Sequence, residues 1–417
     1  MRKPKKQKIA LGLITRHFDD PEPILQFLEN AERYGHEIDR LISAYSHARD
    51  TQAIEKVEKR IPLELLSASD PVALWEQMSQ AGLTQEAIHG MLDLPDGGEE
   101  GEVPYGAYRN TVLFKALLDG IDYLIFFDTD VEPRVLTQLE DLQPQWQTID
   151  FIGIHMRSLL KPDISATTSE YSGYYIIPPM SFPGLGEFLT GLGKGMAVEY
   201  MEDCQEHRCL NLGPTSPGLP KPTNKPLGGN LGLDLTKAWR LAPFFSTLYH
   251  YAGMTIKGRG EDTLLGQSIS ASKGRIMDID LRVFHDTYDR FPEVPNIRRK
   301  SIRDRFYRAC LGWIGRNPFL SWYLDQVGAL KTDWRSETTL QRIGLEVGGE
   351  KAGDFLQDDR FKDLAAAYEA SFEALPQAIE RYQKLMQGWQ LLLRAVGRDR
   401  PPTELEDVDV SEFRLAS

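Results

Sequence analysis

Residues 122–130 read DYLIFFDTD, an apolar run from Tyr123 to Phe127 closed by Asp128 and Asp130. Carboxylates are hard oxygen donors, and two of them one residue apart suit Mg2+ or Mn2+, ions that in turn hold a diphosphate. The apolar run has strand length and lies between turn signals, which reads as a buried, parallel strand. Ligands of open α/β sheets bind outside the carboxyl ends of such strands, where these two carboxylates fall. A plainer role is equally open to an isolated Asp-x-Asp, which can start a turn or cap the next helix.

Further segments with chemical potential follow a set order. Gly106-Ala107-Tyr108-Arg109-Asn110 opens a helix just before the aspartate strand. Gly228-Gly229-Asn230 precedes a run to Trp239 and Leu241, and Gly260-Glu261-Asp262 starts a helix over 263–270. A strand ending near Phe284 and His285 comes last. Each has a structural explanation: Arg109 and Asn110 as a cap and ion pair, the glycines as a turn, and Glu261 and Asp262 as helix-start acids favoured by the macrodipole. His285 reads equally as a surface histidine at a strand end.

The elements that must carry these residues alternate. Strands are expected at Lys8–Ile14, Ile38–Ala44, Leu63–Leu66 and 123–127, and helices at Pro23–Tyr34, Thr51–Lys59, Val72–Ala81, Gln85–Met91 and Tyr105–Leu118. A helix over Val135–Leu142 and a strand over Phe151–His155 continue the pattern. Alternating βα units mean a mostly parallel sheet with helices on both faces. An acidic, glycine-rich loop spans 93–102. Residues 156–226 are rich in Pro, Gly, Ser and Thr, with one helix over Gly186–Tyr200, and read as a loop-rich insertion forming a lid or acceptor region. The expected division is a catalytic unit over 1–295, a helical unit over 296–397 with a long amphipathic helix between Phe361 and Val396, and an acidic tail over 398–417.

In order and together, these segments resemble family 2 glycosyltransferases of the GT-A fold, across roughly residues 8–290. That family reads G-x-x-x-A-R-N on a helix, a strand ending in D-x-D, a G-x-N-x-x-x-R segment, G-E-D-x-x-L and a strand with a late His. The chain is also similar to the retaining mannosylglycerate-synthase type, with its late His and helical C-terminal domain. The resemblance implies an α/β GT-A domain with a helical C-terminal extension, binding a UDP- or GDP-sugar donor and Mg2+ or Mn2+. Asp130 would ligate the metal, His285 would be a further ligand, and Asp128 would touch the ribose or sugar directly or through the ion. Asp262 would be the base that deprotonates an acceptor hydroxyl, with inversion at the anomeric carbon, and Glu261 would orient that acceptor. Arg109 would bind the donor's diphosphate or sugar bidentately beside Asn110. Gly228 and Gly229 would let the backbone approach the sugar, with Asn230 on a hydroxyl. The family's nucleoside-gripping D-D-x-S segment is replaced by Ser43-Ala44-Tyr45-Ser46, in which Tyr45 would stack on the base.

Composition limits the alternatives. The 417 residues are 41% hydrophobic and carry a net charge of −13, which disfavours nucleic acid as a partner. Three cysteines make no disulfide framework, so a reducing, cytoplasmic setting is expected. Cys204, His207 and Cys209 lack a fourth zinc ligand. No apolar run approaches the ~18 residues of a membrane span. The stretch 297–324 combines seven basic residues with Trp313, Phe319, Trp322 and Tyr323. It reads as a helix packed on the catalytic unit, or as peripheral contact with the inner membrane face. A sugar-phosphate nucleotidyltransferase would want glycines after the first strand, where the chain has Thr15-Arg16-His17-Phe18-Asp19-Asp20. A non-catalytic sugar-binding protein would have no need to bring Asp130, Asp262 and His285 together.

Overall fold

The computed structural model describes residues 7–92, 104–201, 209–330 and 332–399. Outside them lie the basic tip 1–6, the acidic loop 93–102, Cys204, His207 and the tail from 400 onward. Eight strands form the central sheet: β1 (Ile9–Ile14), β2 (Arg40–Tyr45), β3 (Leu63–Ser67), β4 (Tyr123–Asp128), β5 (Ala166–Thr168), β6 (Lys221–Thr223), β7 (Asn230–Asp234) and β8 (Ile276–Asp278). Their spatial order is β6-β8-β5-β7-β4-β1-β2-β3. Strands β4, β1, β2 and β3 are mutually parallel, whereas β7 runs antiparallel to both β4 and β5.

These pairings bring distant sequence to one edge. Ile14 pairs with Asp128, so the loop after β1 and the end of β4 meet. Antiparallel pairing sets Asn230 opposite Phe127, which delivers Gly228 and Gly229 to the same edge from the other direction. Strand β4 is buried from Tyr123 to Phe127, as an apolar run in a sheet covered on both faces requires.

One face of the sheet packs on helix α1 (Tyr105–Leu118), where Val112, Phe114 and Leu117 join a core that extends into the C-terminal helices. The opposite face packs on helices Glu22–Arg33 and Thr51–Glu58 and on α2 (Phe151–Leu159). A third core joins α3 (Leu185–Gly191) to α5 (Lys300–Gln326) and α6 (Trp334–Leu356), with α4 (Glu261–Ala271) closing the sheet between. Helix α7 (Leu375–Ala395) puts Trp389 against Phe114.

Several local expectations are corrected. Residues 135–142 are not helical: Arg134–Glu140 and Gln143–Thr148 form an antiparallel hairpin. Asp141 and Leu142 adopt positive φ at its turn, which no helix permits. Residues 151–155 are helix rather than strand, because Asp150 caps Gly153 N at 2.8 Å and all these residues are buried. A short, wholly apolar run does not tell a buried helix from a strand. The helix expected over 186–200 is interrupted by a turn after Gly191. The one expected over 361–396 breaks at Ala374, where Pro376 opens the next helix. The insertion 156–226 is not all loop, since it supplies β5 and β6 to the sheet.

The membrane-facing alternative for 297–324 also falls. Trp313, Phe319, Trp322 and Tyr323 are buried on α5, and each such burial contributes roughly 1.5–3 kcal/mol that outward rotation would forfeit. Among the described residues no helix is long and apolar enough to cross a membrane.

Beneath the sheet, His155 is fully buried between Thr167 Oγ1 at 2.8 Å and Asn230 Oδ1 at 3.1 Å. The Asn230 Nδ2 donates to the Ser169 and Leu281 carbonyls, so its oxygen must accept from His155 Nε2–H and the imidazole is neutral. Burial pushes the His155 pKa down to about 4. The unfolded chain takes up that proton near pH 6.5 and the folded one does not, so stability is lost as pH falls from 6.5 to about 4. The loss from this residue alone is expected to reach roughly 3 kcal/mol. Urea denaturation at pH 7 and pH 4.5 should show a smaller pH-dependent loss for His155→Gln than for the wild type.

Candidate active site

At the carboxyl edge of β1 and β4 lies a cavity of about 1130 Å³, lined by Arg109, Asp128, Asp130, Tyr171, Gly228, Gly229, Glu261, Asp262 and His285 among others. Asp130, Asp262 and His285 therefore face one space. Four elements supply the wall: the end of β4, the first turn of α1, the turn before β7 and the start of α4. The insertion adds Glu170 and Tyr171, and α5 adds Arg305, Trp313 and Arg316.

Arg109 sits at the junction, 3% exposed. Its Nη2 reaches both oxygens of Asp128 at 3.0 and 3.2 Å, its Nε reaches Glu261 Oε1 at 3.2 Å, and its Nη1 donates to the Gly228 carbonyl at 2.8 Å. Burial opposes its charge, but Asp128 and Glu261 outweigh that and raise its pKa. Burial and neighbouring Asp262 push the Glu261 carboxyl up, against the pull of Arg109. The two glycines are explained here. A Cβ on Gly228 would strike the Arg109 guanidinium, and one on Gly229 would strike Asp128 Oδ2 and the Tyr171 hydroxyl. The close approach that requires glycine is thus to protein side chains.

Beyond Asp128 a short ladder pairs Val131–Glu132 with Phe284–His285, and Asp286 N donates to Asp130 O at 3.1 Å. These bonds set His285 Nε2 3.0 Å from Asp130 Oδ2. Burial works against charge on both, yet their mutual attraction wins: the Asp130 carboxyl is lowered and the His285 imidazole raised. Asp128 goes the other way, its carboxyl raised by burial in spite of Arg109. An oxygen and an imidazole nitrogen are a fitting donor set for Mg2+ or Mn2+. Among the described residues no group of three or more His, Cys, Asp or Glu could hold an ion unaided. The donor set therefore fits an ion shared with a ligand's phosphate oxygens, the usual situation for Mg2+.

Asp262 follows Gly260, whose φ of +98° needs a glycine. Its Oδ1 caps Thr263 N at 2.7 Å, and its Oδ2 lies 3.4 Å from Gly228 N. It is only partly buried and faces the cavity.

Other residues read from the sequence have different work. Glu261 points at Arg109 rather than toward an acceptor. Arg109 spends its fork on Asp128, Glu261 and Gly228, so it does not offer a free bidentate face to a donor. Asp128 has both oxygens on Arg109. Asn110 exchanges two 2.8 Å bonds with the Phe244 backbone and borders a separate, smaller cavity. Asn230 is saturated beneath the sheet, and Tyr45 does not line the cavity. Sequence reasoning missed Tyr171, whose ring lies 4.8 Å from that of His285, and the cations Lys194, Arg259, Arg305 and Arg316. Arg305, Trp313, Arg316 and Leu320 recur near helical spacing on α5, a signal masked by the surrounding aromatics.

The layered, mostly parallel sheet with its site at the strands' carboxyl edge defines an α/β ligand-binding class, with a C-terminal helical region packed alongside. Solved structures of similar chain path are those of glucosyl-3-phosphoglycerate synthase from Mycobacterium tuberculosis. One, in complex with Mn2+, UDP and phosphoglyceric acid, superposes with a TM-score of 0.37 at 12% identity, covering 78% of this chain and 80% of that one. Another, in complex with Mg2+ and UDP, gives a TM-score of 0.37 at 13% identity, covering 78% and 81%. A likeness this loose does not carry that enzyme's substrates onto this chain. No protein-family model and no curated protein sequence matches it.

Removing Arg109 would leave two carboxylates without their counter-charge. Arg109→Gln is expected to destabilise the fold by roughly 3–5 kcal/mol, the cost of breaking a buried charge pair from one side. Arg109→Lys should recover only part of this, because an ammonium cannot span three acceptors. Denaturation midpoints decide it: unchanged stability in Arg109→Gln would show that these contacts hold nothing together.

Proposed function

We propose that the chain is a metal-dependent glycosyltransferase of GT-A type, moving a sugar from a nucleoside diphosphate sugar to a hydroxyl acceptor. The observation that carries this reading is the convergence of the Asp130–His285 pair and Asp262 on one cavity at the carboxyl edge of a parallel sheet. Asp130 and His285 would hold a divalent ion together with the donor's diphosphate. That ion supplies Lewis-acid stabilisation of the departing diphosphate. Binding it requires His285 to give up its proton. Asp128, clamped by Arg109, keeps one rigid side of the donor pocket, and the Tyr171 phenol, raised well above its ordinary pKa by burial, stays a hydroxyl.

Asp262 is the acceptor-side base in this reading. It has a carboxylate oxygen toward the cavity, and its capping bond to Thr263 N fixes its orientation. Glu261 is a positioning residue acting through Arg109.

Asp130→Ala should abolish Mn2+-dependent binding of UDP- or GDP-sugars in calorimetric titration while leaving the thermal midpoint close to wild type. Undiminished metal-dependent donor binding would remove Asp130 from the ion site. Asp262→Asn should preserve donor affinity and lower kcat by about 10²-fold or more. The product's anomeric configuration, read by NMR coupling early in turnover, is expected to be inverted. Retention would recast Asp262 as a residue that positions acceptor or sugar, as in the mannosylglycerate-synthase type.

A further inference from the structure

The cavity holds a second concentration of charge, away from the Asp130–His285 pair. Arg316, on the cavity-facing side of α5, is 4% exposed. Its bonds go only to neutral oxygens, Thr263 Oγ1 at 3.4 Å and Asn317 Oδ1 at 3.0 Å, and its buried Nε has no partner. Lys194, in the turn after α3, lies 4.5 Å above the Trp313 ring. Among the described residues no carboxylate comes within 4.0 Å of either cation, in contrast to Arg109 with its two acids. Burial and the nearby Arg316 push the Lys194 amine down to about 7, with Arg259 and Lys225 adding to the repulsion and Asp262 only partly offsetting it.

A guanidinium does not escape burial by losing its proton, and proteins rarely bury a charge without a partner. The missing negative charge must come with a ligand. We infer that the acceptor substrate carries an anionic group, a carboxylate or a phosphate monoester, seated on Arg316 and Lys194. This rests on the glycosyl-transfer reading above. The alternative owner of the charge is the donor's diphosphate, but that belongs with the ion at Asp130 and His285. Arg316 instead bonds Thr263, the residue after Asp262, so its charge stands on the side where a hydroxyl would be deprotonated. The planar fork with a free Nε matches the two oxygens of such a group, and Lys194 supplies a point charge beside it. The subsite draws on α5 and on the 156–226 insertion, which gives both segments a part in the chemistry of the sheet edge.

Calorimetry with inorganic phosphate, acetate, and UDP or GDP plus Mn2+ tests this on the full-length protein, comparing wild type with Arg316→Gln and Lys194→Gln. The Lys194 variant alters a turn and guards against misfolding of the Arg316 variant. Each substitution is expected to weaken phosphate or acetate binding by about tenfold or more, the worth of one charge-assisted hydrogen bond, while nucleoside diphosphate affinity stays within about twofold. Tighter binding of phosphate than of acetate would mark the acceptor's group as a phosphate monoester, and the reverse as a carboxylate. Equal anion binding by wild type and variants would overturn the inference, as would a parallel loss of Mn2+-nucleotide affinity, which would assign these cations to the donor. If no nucleoside diphosphate binds at all, the transferase reading fails, while the phosphate titration still reports on the anion subsite.

Discussion

One buried guanidinium sets the geometry of the sheet edge. Arg109 holds the end of β4 through Asp128, the turn before β7 through the Gly228 carbonyl, and the start of α4 through Glu261. These three pieces lie far apart in sequence and none of them bonds another strongly at this edge. Desolvating so many charges is unfavourable unless every donor is matched, which is why glycines stand at 228 and 229 and why an acid stands at 261. The residues with direct access to the cavity, Asp130, Asp262 and His285, are neighbours of this cluster and inherit their positions from it.

The cavity has two electrostatic halves. On one side an imidazole and a carboxylate face each other and are suited to share an ion with phosphate oxygens. On the other, Asp262 stands among Arg316, Lys194 and Arg259. A low-dielectric cavity strengthens both sets of interactions relative to water. The division also matches the architecture. The ion half is built by the sheet edge and the ladder to His285, whereas the cationic half depends on α5 and the turn after α3.

That dependence explains how the C-terminal helices relate to the sheet. Phe319, Trp322 and Tyr323 of α5 share a core with Val112 and Phe114 of α1, and Phe245 stacks near Phe319 at 4.8 Å. Aromatic packing of this kind holds Arg305, Trp313 and Arg316 against the cavity with little freedom. The basic and aromatic composition that suggested a membrane contact is that of a helix with one face in a core and another at a binding site.

By itself the sequence determined the strand-and-helix rhythm up to residue 130, because period, caps and turn residues act locally. It also marked Asp128, Asp130, Asp262 and His285 as one constellation. Where the local signal was degenerate it misled: Val135–Leu142 alternates too weakly to separate hairpin from helix, and Phe151–His155 is apolar on every side. Partner choice was out of reach altogether. Asn230, Asn110 and Arg109 carry groups that would suit a sugar or a diphosphate, and only the antiparallel entry of β7 showed that Asn230 turns beneath the sheet to His155. The same applies to Arg109, whose fork is filled by Asp128, Glu261 and Gly228. A polar side chain's role depends on which acceptor reaches it first, and that is decided by long-range pairing of chain segments, a tertiary property.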